Sequence, residues 1–273
     1  MIRAILSTAV LLVASVTAAN AIGTPVAIGN NGSSGSSINS LSTTVTTAVA
    51  VNNTVIATVV LYTSNRTFTV TVADSAGNTY TNNADITDSS STRTLVFSAP
   101  VTTALTTSNS ITVSFTHSVQ YINVSNFSVS GLLTASPVDK TSTSTGTSTS
   151  VSSGTTGTTT QASELLIGAL GIDFSGNGTA TLTPGSGYAA LPANAISGSW
   201  GIYPEYEIVS STGAYSATGT MSGNVNDWAA AIVTYKAAAS SSGRKGQTIM
   251  GKLDSIGGIG SSERLSTEPG DSL

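Results

Sequence analysis

The chain has 273 residues, a net charge of −4 and only 8% charged residues, against about 25% in an ordinary soluble domain. It has no cysteine, which excludes a disulfide framework, a thiolate metal site and a cysteine nucleophile. Its few Lys and Arg form no cluster in the body of the chain. That argues against nucleic acid as a partner, because neutralising phosphates takes grouped basic residues.

Residues 1–21 read as a secretory signal peptide of bacterial type. Met1-Ile2-Arg3 is a short cationic start, Ala4 to Val16 is apolar, and Ala19-Asn20-Ala21 is a small-x-small cleavage site. The apolar run is shorter than the ~20 residues that span a bilayer, and no later segment is long and apolar enough to do so. The mature chain is therefore expected to start near Ile22, to carry no membrane span, and to be secreted or held at the cell surface.

Residues 22–40 are rich in Gly, Ser and Asn and read as a lead-in, with Gly23 to Gly29 offering a first edge strand. Leu41 to Val51 reads as a strand. Thr54 to Tyr62 is apolar on both alternating sets of positions, the pattern of a strand covered on both faces. Thr67 to Val72 alternates. In Asp74-Ser75-Ala76-Gly77-Asn78, Asp and Gly supply turn chemistry. Arg93–Ser98, Ser110–Thr116 and Gln120–Leu133 complete a first half. Residues 137–160 are almost wholly Ser, Thr and Gly from Thr141 onward. Such a stretch buries too little to offset its ordering entropy, so it is expected as a linker or exposed crossover; an extended edge is the other reading of its Ser and Thr.

Ser163 to Asp173 is again apolar on both faces, and Gly168 and Gly171 argue against a helix there. From this point the chain echoes its first half: an apolar strand, a turn, an alternating Thr-rich strand, a glycine turn reaching a tyrosine, and three further strands. The order of features matches as well as the composition. The expectation is an all-β, antiparallel, jelly-roll-like sandwich of two pseudo-repeated halves, about 41–136 and 161–238, forming one domain over 22–239. Val59 and Ile167 are expected to share its core. Residues 240–273 change character: Ile249, Leu253, Ile256 and Ile259 have helical spacing, but the intervening glycines oppose a helix. This segment is expected as a flexible tail through which copies of the chain could associate.

The strings Glu164-Leu165-Leu166-Ile167-Gly168, Gly213-Ala214-Tyr215-Ser216-Ala217 and Asp227-Trp228-Ala229-Ala230-Ala231 resemble those of uncharacterised secreted or virion-associated bacterial sandwich proteins of the concanavalin-like jelly-roll type. The resemblance covers about residues 50–237. It implies a lectin-like fold and a surface role, and it carries no catalytic residue over to this chain.

Catalytic chemistry is sparse. The lone histidine, His117, reads as a surface turn residue, and no nucleophile elbow surrounds any serine. Glu205 and Glu207 would lie on one face of a strand, at about the 5–6 Å spacing of a retaining glycosidase. The Glu-x-Asp-x-x-Glu signature of jelly-roll glycosidases is absent, so a glycoside hydrolase is only a remote alternative and no enzyme is expected. Asp74 with Asn78, and Asp173 with Asn177, are weak candidates for Ca²⁺ ligands; no other cofactor is called for. The segment between Pro184 and Pro204 reads as an irregular loop with the densest aromatics, and Tyr188, Trp200 and Tyr203 are the candidate ligand contacts. These features suggest a non-catalytic surface module that binds a glycan or cell-surface polymer, or adheres to a surface. The alternative is a self-assembling structural subunit of a fibre, sheath or virion.

Overall fold

The computed structural model describes residues 21–62, 68–174, 180–196 and 200–239. The expected signal peptide, but for its last residue, and the expected tail lie outside the described residues. The first half contains β1 (Val26–Thr44), β2 (Thr54–Tyr62), β3 (Val70–Asp74), β4 (Thr81–Thr87), β5 (Thr92–Pro100) and β6 (Ser110–Val129). The second contains β7 (Val138–Gly146), β8 (Ser150–Ser152), β9 (Ser163–Asp173), β10 (Leu182–Pro184), β11 (Ala189–Ala190), β12 (Asn194–Ala195), β13 (Trp200–Ser210), β14 (Thr218–Met221) and β15 (Asp227–Lys236). No helix among the described residues is long and apolar enough to cross a membrane.

The protein is an all-β antiparallel sandwich of two repeated halves. The first large sheet runs β1-β6-β2-β5-β4 and the second β7-β15-β9-β13-β11, with β12 also paired to β13. The orders correspond position for position, so the echo read in the sequence holds at the level of strand pairing. The correspondence extends to a smaller outer layer. In the first half β6 is continuous: its opening residues Ser110–Phe115 pair with β3 and the end of β1, and its closing residues with β2 and the start of β1. In the second half the same layer is the separate sheet β10-β14-β8, and the long strand is split into β14 and β15.

Strand alternation sorts the apolar residues into layers. Val55, Ala57, Val59 and Leu61 of β2 face outward to Val70, Val72, Val113 and Phe115, forming the core of the first half. Ile56 and Val60 face the other way and join Leu165, Ile167 and Ala169 of β9 in a core shared by the two large sheets. On the far face of β9, Leu170 and Ile172 pack with Phe174, Tyr203, Met221 and Trp228. The order of layers is small sheet, large sheet, large sheet, small sheet. Val59 and Ile167 thus sit in different cores, contrary to expectation; Val60, one residue on, shares the core of Ile167.

Three further expectations are corrected. The stretch expected as a linker contains β7 and β8, and Ser153, Thr156 and Thr159 then donate backbone N–H bonds to Ala217, Tyr215 and Gly213. Its hydroxyl-rich side chains cannot build a core, but its backbone completes the sheets beside β15 and β14. In the same way the polar lead-in is the edge strand β1 along β6 rather than a strand starting at residue 41. His117 lies within β6, exposed and against Phe68 at 5.9 Å, not in a turn.

The two large sheets meet closely because small residues line the seam. Gly171 of β9 lies against Val60 and Thr94, and a Cβ there would come within 2.7 Å of Val60 Cγ2 and closer still to Thr94 Oγ1. Thr94 Oγ1 uses that closeness to donate a hydrogen bond across the sheets to the Ala229 carbonyl at 2.8 Å. Gly171→Ala is expected to push the sheets apart and break this bond, at a cost of about 1–3 kcal/mol typical of overpacking. Chemical denaturation of the variant with an unchanged midpoint would contradict the packing described.

Candidate functional site

Tyr62 ends β2, and β2 pairs with β6 through Leu61 and Ile122, which brings Tyr62 beside Tyr121 on the next position of the ladder. Both rings point to the face that carries Ile56 and Val60, toward the second half. Trp200, the first residue of β13, meets them at the rim of the shared core. Its ring centroid is 4.8 Å from that of Tyr62 and 4.6 Å from that of Tyr121, and the two tyrosines stand 6.1 Å apart in an edge-on arrangement. All three side chains are half-buried, so the cluster is sealed on its inner side and open on the other.

Trp200 is held from several directions. Its Nε1 donates to Thr92 Oγ1 at 3.0 Å, and its carbonyl accepts from Asn123 Nδ2 at 2.7 Å. Thr92 in turn donates its hydroxyl to Asp227 Oδ1 at 2.7 Å and its N–H to Asp88 Oδ1 at 2.9 Å. Amide and hydroxyl groups continue along the seam: Asn194 Nδ2 donates to the Asn31 carbonyl, and Ser125 Oγ to the Pro192 carbonyl at 2.7 Å.

Of the three residues expected as ligand contacts, the structure places Trp200 in this cluster and separates the other two from it. Segment 184–204 is no single loop, since it contains β11, β12 and the start of β13. Trp200 and Tyr203 are three positions apart on one strand, so they face opposite sides. Tyr203 is 5% exposed, packs in the outer core of the second half and donates its hydroxyl to the Ala180 carbonyl at 2.8 Å. Tyr188 packs against yet another cluster with Leu166, Val209 and Ala217. Three rings in three cores cannot form one platform. Tyr62 and Tyr121, which do meet Trp200, were not singled out from the sequence; the signal available was an aromatic at the end of one central strand and another on the strand beside it.

Of the calcium candidates, Asp74 and Asn78 are engaged in turn chemistry. Asp74 Oδ1 accepts the N–H groups of Ala76 and Asn78, and Oδ2 accepts Asn78 Nδ2 and the Tyr80 hydroxyl. Asn78 Oδ1 accepts the N–H groups of Thr102 and Thr103. These oxygens are occupied by donors. Asp173 Oδ2 accepts Asn226 Nδ2 at 3.4 Å, and Asn177 lies outside the described residues. Among the described residues no group of three or more His, Cys, Asp or Glu side chains is placed to hold a metal ion.

The Glu205–Glu207 pair lies on the face of β13 opposite Trp200. Glu205 is wholly buried over Gly168, where a Cβ would crowd its Cγ at 2.7 Å. Burial pushes its carboxyl up to about 8, with Glu207 adding to the push and the backbone N–H groups of Thr218 and Gly185 pulling the other way. Glu164, equally buried, is pushed up to about 7 by burial and by Asp139, against the pull of the Thr234 hydroxyl. Glu205 lines neither of two clefts in the surface. One of about 530 Å³ is edged by Thr79, Asn83, Ser98, Thr134 and Ser136, and one of about 300 Å³ by Leu182, Leu191 and Tyr203.

Comparison with protein-family models, with curated proteins and with solved structures finds no match for this chain.

The buried acids set a pH dependence. Glu164, Glu205 and Asp227 bind their protons more tightly folded than unfolded, at about 7, about 8 and about 7. Their contribution is fully present below the ordinary carboxylate range and is lost as pH rises through those values. The melting temperature is therefore expected to be higher at mildly acid pH than at pH 8.5, and the replacement Glu205→Gln should flatten part of that slope. A melting temperature that rises from neutral to alkaline pH would contradict this.

Proposed function

We propose that the chain is a non-catalytic module, secreted or displayed at a cell surface, that binds a glycan or similar hydroxyl-rich polymer through Trp200, Tyr62 and Tyr121. The observation that carries this reading is the three-ring cluster. In a chain with only 5% aromatic residues, three of them meet half-exposed at the rim of the shared core. Flat rings offer the apolar faces on which the C–H faces of a sugar stack, and the fixed Trp200 loses little freedom on binding. A surface with so few charges suits a neutral polymer. The resemblance to concanavalin-like proteins and the signal-peptide pattern of residues 1–21 point the same way.

The test is a panel of soluble and insoluble polysaccharides, with binding read by co-sedimentation and by Trp fluorescence. Trp200→Ala and Tyr121→Ala are each expected to weaken binding at least about tenfold, the loss of one central contact. Leu182→Ala, in the separate 300 Å³ cleft, should leave affinity unchanged. Full affinity in both aromatic variants, or no binding anywhere in the panel, would overturn the reading.

A further inference from the structure

Beneath the aromatic cluster two carboxyl groups close on one residue. Asp88, in the turn after β4, is 4% exposed, and Asp227, at the start of β15, is 6% exposed. They come from different halves of the sandwich and both hold Thr92. Asp88 Oδ1 accepts three backbone N–H groups, from Ser90, Ser91 and Thr92, at 2.7–2.9 Å. Asp227 Oδ1 accepts the Thr92 hydroxyl. Asp88 Oδ2 is buried and finds no donor among the described residues. A buried carboxylate oxygen without a donor is costly, and Asp227, bonded to the hydroxyl of the same Thr92, is the carboxyl that interacts with Asp88.

Among the described residues the surroundings supply no free cation. Asp173 is the register partner of Asp227 on β9 and adds a third carboxylate. The nearest base along β5, Arg93, is committed to Asp85 and to the Phe68 carbonyl. The other ion pair among the described residues joins Lys140 to Asp139. Tyr62 and Tyr121 pack against Trp200.

The geometry points to a shared proton between Asp88 Oδ2 and Asp227 that latches the two halves and holds Trp200 in place through Thr92. The proposal rests on the binding reading only for its consequence: the platform is set while Asp227 holds its proton against Asp88 and released when Asp227 loses it. With the proton in place every buried oxygen of the pair has a partner. Asp227 donates to Asp88 Oδ2, three backbone N–H groups hold Asp88 Oδ1, and Trp200 donates to Thr92, which donates to Asp227. Once the proton leaves, two carboxylates face each other with Asp173 nearby, and repulsion draws on the side chain that anchors Thr92 and so on the indole N–H. Burial, and then the neighbouring Asp88, push the Asp227 carboxyl up to about 7, which places the transition near neutrality.

The experiment needs no ligand. The chain has two tryptophans, and Trp228 is buried with its Nε1 donated to the Ser148 carbonyl. A ¹H–¹⁵N spectrum of the full chain therefore gives two indole signals, which a Trp228→Phe variant assigns. From about pH 5 to about pH 9 the Trp200 indole signal is expected to move through one transition with a midpoint near 7, while that of Trp228 stays fixed. Asp227→Asn, whose amide donates to Asp88 without titrating, should abolish the transition, and Glu205→Gln, in another core, should keep it. A Trp200 signal that stays flat, or a transition that survives in Asp227→Asn, overturns the latch. If Asp227→Asn does not fold, Asp88→Asn takes its place with the same expected loss. Glycan affinity followed over the same range separates the two claims: binding that does not change with pH sinks the latch alone, and a transition without any glycan binding sinks the platform alone.

Discussion

Everything in this fold depends on how closely two sheets can approach. Each large sheet already has its own outer layer, so joining them takes a second apolar face that is flat enough to lie against its twin. Gly171, Ala169, Ala229 and Ala231 provide that flatness at the centre of the seam, and Thr94 turns the short gap into a hydrogen bond to the β15 backbone. Bulkier residues, Phe127, Tyr235 and Ile202, fill the rest of the shared core. The aromatic cluster belongs to the same logic: Trp200 packs at the margin of this shared core, where it gives way to solvent.

How far the fold could be read from the residues differs from element to element. Thr54–Tyr62 and Ser163–Asp173 were legible because a strand covered on both faces leaves an unbroken apolar run, and the echo was legible because each half repeats its run in the same company. The edge strands were not. Val26–Thr44 and Val138–Gly146 bury little side chain, and what makes them strands is the row of backbone groups on β6 and β15, which no local pattern announces. One slip of phase also mattered: choosing Val59 over Val60 picks the opposite face, because side chains alternate with every residue.

The site was legible in one part only. Trp200 stood out as a rare residue type, but its neighbours are chosen by register and not by proximity in the chain. Tyr62 meets Tyr121 because Leu61 pairs with Ile122, and Thr92 meets Asp227 from 135 residues away. Tyr203 was drawn in by nearness along the chain, the one measure that a strand disregards. The buried acids were hidden for a related reason. Nothing in the chain around Glu205 marks it as buried until Gly168, on the adjacent strand, is seen to leave room for its side chain.

The outer edge of the first sheet carries a further consequence. A 19-residue strand along an edge is a template on which other chains could add, and a protein with few charges has little repulsion to keep them away. β1, however, does not run true. Its register with β6 shifts between Ala27 and Gly29, between Ser34 and Ile38, and again before Ser40, and the backbone turns to positive φ at Gly29 and Gly35. Each irregularity twists the row of free N–H and C=O groups out of line. An incoming strand finds only short straight stretches, so geometry gives this surface the protection against strand-by-strand aggregation that charge gives most others.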